Sequence, residues 1–252
     1  MKRPFFAGLL SVCSLLLSAM ATQAQYVSIP GNKGAAAVTW TVVQHPHNFT
    51  CTASGSGNHA CTVTASATTA GNLLIMASSV FNNTAVSPTF VSASGDGTWT
   101  HCPASAGASN SGSSDTTDCA YLLSATGGAT SFTFTWTFTS GTSIDIDVEL
   151  YEVHRSTGTA TYDTGNANGN TACSSCTGPT GTIAGHDFVA AWGAFNDTVN
   201  STPGTPYTNP DDHEDANVGG SFEGALNQSS YTQPVYVLAS STRAAISFVA
   251  FK

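Results

Sequence analysis

From Ser131 to Ser140 the chain reads Ser-Phe-Thr-Phe-Thr-Trp-Thr-Phe-Thr-Ser. Successive side chains of a strand point to opposite faces. An extended backbone therefore puts Phe132, Phe134, Trp136 and Phe138 on one side and Thr133, Thr135, Thr137 and Thr139 on the other. No helix separates these residues that way, and aromatic and β-branched side chains suit a pleated surface. Burying four aromatics would remove about 600–1,000 Å² from water, on the order of 15–25 kcal/mol as an upper bound. A second layer must cover that face. The expectation is an all-β, two-sheet antiparallel β-sandwich, jelly-roll-like, with this strand central in one sheet.

The rest of the chain fits many short strands joined by Gly-rich turns. Residues 38–43 read as a strand that His45-Pro46-His47 interrupts, because proline removes a ladder donor. Residues 49–63 read as a hairpin turning at 54–58. Residues 73–81 form a continuous apolar run, short enough for a buried strand. Short strands follow at 98–101 and 121–124, separated by a Ser/Gly/Asn/Asp loop at 104–118. Residues 144–154 and 187–195 read as strands. Residues 156–180 read as a long connection and 196–220 as irregular. Strands at 231–238 and 244–251 complete the pattern. A repeat aligns residues 70–82 with 184–196. In it Tyr121-Leu122-Leu123 answers Tyr236-Val237-Leu238, and the strand ending at Phe138 answers the one ending at Phe251.

Lys2 and Arg3 followed by an apolar run to Met20, with Ala24 before Gln25, read as a secretory signal over 1–24. The expected mature part, 25–252, is a single domain. It keeps Lys33, Arg155, Arg243 and Lys252 against 15 acidic residues, a net charge of −11. Such an acidic chain is a poor partner for nucleic acid or an anionic membrane, and no second apolar segment predicts membrane insertion after cleavage. Cys13 belongs to the leader. The remaining six cysteines, in an exported chain, predict three disulfides, and proximity favours Cys51–Cys61, Cys102–Cys119 and Cys173–Cys176. The Cys-x-x-Cys lies in Gly/Asn/Thr loop chemistry, so a staple is expected there rather than a redox or zinc site.

In order along the chain stand Gly71-Asn72-Leu73-Leu74, Glu152-Val153, Tyr162-Asp163 and Phe251-Lys252. The arrangement resembles secreted bacterial β-sandwich modules of unassigned activity, with Asn72 where they carry Asp and Val153 where they carry Tyr. That resemblance implies fold and an extracellular location.

Asp145-Ile146-Asp147-Val148-Glu149 places three carboxylates on one strand face, about 6.6 Å apart in succession. The pattern is similar to the catalytic strand of the laminarinase and lichenase glycosidases. The resemblance implies Asp145 as nucleophile, Asp147 as the tuning residue and Glu149 as acid/base, with Asp145 one methylene shorter than the family's Glu. An acidic solvent face or a calcium site is the competing expectation. Asp211, Asp212 and Asp215 lie in a second acidic cluster that could hold calcium through oxygen ligands. No other cofactor is implied. Trp99, behind the Gly95-Asp96-Gly97 turn, is the candidate exposed platform for a sugar ring. A threonine row like that of 133–139 orders water, as ice-binding surfaces do, only where adjacent strands carry the same row; the sequence shows it on one strand, so ordinary polar alternation is the expectation. The leading expectation is a secreted non-catalytic module that binds polysaccharide or a cell-surface glycan. The alternatives are a glycoside hydrolase acting on β-glucans through Asp145, Asp147 and Glu149, and a structural subunit of an extracellular coat or fibre.

Overall fold

A computed structural model describes residues 37–252, apart from 87, 104–105, 111–112 and 215–218. The described residues contain strands and no helix, and every strand pairing is antiparallel. Strands are numbered in chain order. A seven-stranded sheet contains β1 (Trp40–Gln44), β2 (His47–Ala53), β4 (Leu73–Asn82), β6 (Thr100–His101), β7 (Ala106–Asn110), β8 (Ser113–Leu122) and β10 (Ile144–Arg155), in the order β1-β10-β4-β8-β6. Both β1 and β2 pair with β10, end to end, and the chain breaks between them at His45-Pro46 as the proline requires. A three-stranded sheet is β3 (Gly57–Thr64), β9 (Ser131–Phe138) and β5 (Thr89–Ser94), with β9 in the centre. A six-stranded sheet runs β11 (Tyr162–Thr177), β16 (Val235–Phe251), β12 (Asp187–Phe195), β15 (Gly219–Gln228), β14 (Thr208–Glu214), and β13 (Val199–Ser201) also pairs with β16.

The sandwich therefore carries a third layer. All ten residues of β4 are buried. Leu74, Met76 and Val80 share a core with Phe132, Phe134, Trp136 and Phe138 of the small sheet. Leu73, Ile75 and Ala77 share another with Phe188, Trp192, Val249 and Phe251 of the six-stranded sheet. The seven-stranded sheet is thus the middle layer. A strand covered on both faces has no polar side to show, which is why β4 reads as an unbroken apolar run. The aromatic row of β9 is wholly inside, with Trp136 at 0% exposure.

Ser78 links two layers. Its hydroxyl accepts the indole N–H of Trp136 at 2.9 Å and donates to the Asp147 carbonyl at 2.9 Å. Ser78→Ala leaves the Trp136 donor without this acceptor in a dry core, so the expected loss is about 1–3 kcal/mol in chemical denaturation. An unchanged midpoint would show that the bond adds nothing to stability.

Several elements depart from the sequence expectation. Residues 49–63 are not a hairpin. β2 belongs to the middle sheet and β3 to the small one, and Cys51–Cys61 ties the two sheets together. The 104–118 segment supplies β7 and most of β8, and the 156–180 segment supplies the edge strand β11. The repeat holds for the central strands: β4 is flanked by β8 and β10 as β12 is by β15 and β16. Its later correspondences do not hold. The structural counterpart of β16 is β10, while β9 sits in the small sheet. The other two disulfides, Cys102–Cys119 and Cys173–Cys176, form as sequence proximity suggests. The signal over 1–24 lies outside the described residues.

Candidate functional site

The carboxylate row of β10 points inward. Asp145 is half-buried, Asp147 is 1% exposed and Glu149 is 0% exposed. The residues of β10 pair on both sides, with β4 along its length and with β2. Ile144, Ile146, Val148 and Leu150 fill the core beneath the small sheet, so the acidic side faces the six-stranded sheet together with Tyr151 and Val153. His45 Nδ1 lies 3.5 Å from Glu149 Oε1, and the His45 ring stacks on Tyr151. An acid/base residue must reach the glycosidic oxygen of its substrate. A Glu149 closed off from solvent between two sheets offers a polysaccharide no approach. The acidic solvent face expected from alternation is likewise not what forms, because both faces of β10 are covered.

The boundary between the middle and six-stranded sheets has a polar part. Arg243 Nε donates to Asp115 Oδ2 at 2.9 Å, with Arg243 at 5% and Asp115 at 0% exposure. The Thr117 and Ser247 hydroxyls bond at 2.6 Å, and Ser79 Oγ donates to the Gly193 carbonyl at 2.9 Å. Burial pushes Asp115 up to about 7 although Arg243 pulls it down. On the opposite side of β8, His101 Nε2 lies 2.8 Å from Asp118 Oδ1, and Phe90 stacks flat on the His101 ring at 4.2 Å. Burial raises the Asp118 carboxyl, and the bond from His101 opposes that. The sequence reading missed this pair, yet a signal was present. His101 precedes Cys102 and Asp118 precedes Cys119, so with the two cysteines joined on antiparallel strands these side chains become diagonal neighbours on one face, His101 lying opposite Ala120. At another end of the molecule Lys252 Nζ lies 2.8 Å from Asp163 Oδ1, and Asp187 is fully buried beside Asp163.

Trp99 is half-buried rather than free. Its indole N–H donates to the Gly95 carbonyl at 2.5 Å, and its ring meets Phe132 edge-on at 6.3 Å. It seals the rim of the small-sheet core, which leaves little open ring face for a sugar. Asp211 and Asp212 fall in β14, where the backbone alone is described, and Asp215 lies outside the described residues. Among the described residues no group of three His, Cys, Asp or Glu side chains is placed to hold a metal ion.

An extended exposed feature among the described residues is the outer side of the small sheet. Register places Thr64 beside Ser131; Thr62 beside Thr133 and Ser94; Ala60 beside Thr135 and Ser92; and Asn58 beside Thr137 and Thr89. The threonine row that the sequence shows on one strand is thus flanked by Thr62 and Thr64, with Ala60 and Asn58, on β3 and by Thr89, Ser92 and Ser94 on β5. Thr62, Thr64, Thr89, Ser92, Ser94 and Ser131 are exposed, and Thr133, Thr135 and Thr137 are half-buried between them. The Thr62 and Thr133 hydroxyls bond at 2.8 Å. None of these eleven residues ionises. Directly behind them lies the Phe132, Phe134, Trp136 and Phe138 core, which fixes the strands. Neighbouring strands carry these partners at distant sequence positions, so only the pairing reveals the array.

No family model matches the chain, and neither a curated protein nor a solved structure matches it.

Proposed function

We propose that the protein is a secreted, non-catalytic binding module whose working surface is the hydroxyl face of the small sheet, with carbohydrate displayed on a cell or matrix surface as the expected ligand class. The observation that carries this reading is the charge-free array of nine hydroxyl side chains, six exposed and three half-buried, with two contributed by β3, four by β9 and three by β5. Each hydroxyl donates one hydrogen bond and accepts others, as the hydroxyls of a glycan do. The face needs little ordering on binding, because β-branched Thr side chains are stiff and the aromatic core and Cys51–Cys61 hold the strands behind them. Three disulfides suit an oxidising compartment outside the cytosol.

The β-glucanase reading is disfavoured by the burial of Asp147 and Glu149. The test is retention on insoluble glycans alongside assay of released reducing ends. Retention without hydrolysis is expected, and Thr135→Lys, which plants a flexible charge in the middle of the array, is expected to weaken retention at least tenfold, about 1.4 kcal/mol or more. Hydrolysis that vanishes in Glu149→Gln would reverse the assignment.

A further inference from the structure

The array has a property that a soluble ligand does not need: it repeats in two directions. Neighbouring strands lie about 4.7–4.9 Å apart, and alternate residues along each strand lie about 6.6–6.8 Å apart. The four rows across β3 and β9, three of them continued onto β5, therefore form a patch of about 10 Å by 20 Å, with a bulge of β5 between Phe90 and Ser92. Small-molecule sites are concave, whereas this is the open side of a sheet with exposed residues on all three strands. A surface with a lattice asks for an occupant with one.

The spacing points to the occupant. Two oxygens held by one tetrahedral water, each at about 2.75 Å, lie about 4.5 Å apart. That is close to the separation of hydroxyls on adjacent strands. Thr62 and Thr133 bond directly at 2.8 Å; the other hydroxyl neighbours in one row are set at the strand spacing, where single bridging waters arranged as in solid water can join them. Thr133, Thr135 and Thr137 are flanked on both sides, and the direct Thr62–Thr133 bond fixes two of the hydroxyls. With χ1 of each Thr restricted, the positions persist without a ligand. The absence of charge among these residues matters, because an ammonium or carboxylate would orient its own hydration shell and break the lattice.

We propose that the outer face of the small sheet binds ice, through the patch centred on Thr133, Thr135 and Thr137. The inference rests on that face being the working surface; it does not require a glycan ligand. The experiment is slow partition of the full, disulfide-oxidised chain into growing ice beside an inert carrier protein, with Thr135→Lys and Ser92→Lys on the face and Ser174→Lys, an exposed residue of β11, as the control. The expected result is enrichment of the parent and of Ser174→Lys several-fold over the carrier, with both face variants falling to the carrier level. The two face variants lie on different strands, so failure of one to fold leaves the other. Exclusion of the parent at the carrier level overturns the proposal, as does enrichment that neither face variant diminishes. Exclusion from ice combined with Thr135-dependent retention on a glycan overturns ice binding and leaves the binding-module reading in place. Failure in both assays removes both.

Discussion

Arg243→Met is expected to lower the unfolding free energy by about 3–5 kcal/mol at pH 8, because it leaves the fully buried Asp115 carboxylate without the guanidinium that compensates it. The loss shrinks at pH 5. Burial already pushes Asp115 up to about 7 with Arg243 present. With the cation gone, the carboxyl takes a proton more readily and the uncompensated charge disappears. Replacing both partners with leucine is expected to recover most of the deficit at pH 8, since a buried pair often gives way to apolar packing without loss. Urea denaturation of the parent, the single variant and the double variant at the two pH values supplies the comparison. A single variant equally stable at both would mean that solvent reaches Asp115 after all.

The second large effect is the pH profile of the parent protein. Asp187 is pushed up to about 7 by burial, and then by the hydrogen bond and the charge of Asp163; Asp115 is pushed up to about 7 by burial. Between an ordinary carboxylate pKa near 4 and about 7, the folded state holds a proton at each site that the unfolded chain has released. Their contribution is fully present below the unfolded pKa and is lost as pH rises toward 7, at up to about 1.4 kcal/mol per pH unit per group. Three other carboxylates act in the opposite sense. Burial raises Asp96, but hydrogen bonds from Thr126, Thr68 and Gly127 outweigh it; burial raises Asp163, but Lys252 and the Ala184 N–H outweigh it; and Ser240 and Thr198 hold Asp197 down. Their contribution is lost only as pH falls below the ordinary carboxylate range. Stability is expected to peak between about pH 4 and 5 and to drop by a few kcal/mol by pH 8. Asp187→Asn, a neutral isostere of the protonated acid, is expected to flatten the decline and raise stability at pH 8. A profile that rises from pH 5 to 8 would contradict the assignment.

The strands that were legible in the sequence are those whose environment is uniform along their length. β9 shows its two faces because one side meets a core and the other meets water. β4 and β12 show unbroken apolar runs because both sides are covered. Strands with polar partners were hidden. Ser114 to Asp118 of β8 are all buried, yet they read as loop residues because what they meet is Arg243, Ser247 and His101 rather than aliphatic side chains. β11, rich in Gly and Asn, is a strand because β16 offers it a ladder. Of the candidate site, the Thr row of β9 could be read in advance, whereas Thr62, Ser92 and the others joined it only through pairing.

Local alternation and composition, by themselves, determined that this chain forms antiparallel sheets around an aromatic interior, and cysteine proximity determined how it is stapled. Those properties depend on neighbours along the backbone, where pleat geometry and short loops leave few choices. Only the tertiary structure decided the layer count, the inward turn of Asp147 and Glu149, and the spread of one hydroxyl row across three strands. Each of these depends on which distant segment covers or flanks a strand. A period of two cannot say whether its polar side meets water or another sheet.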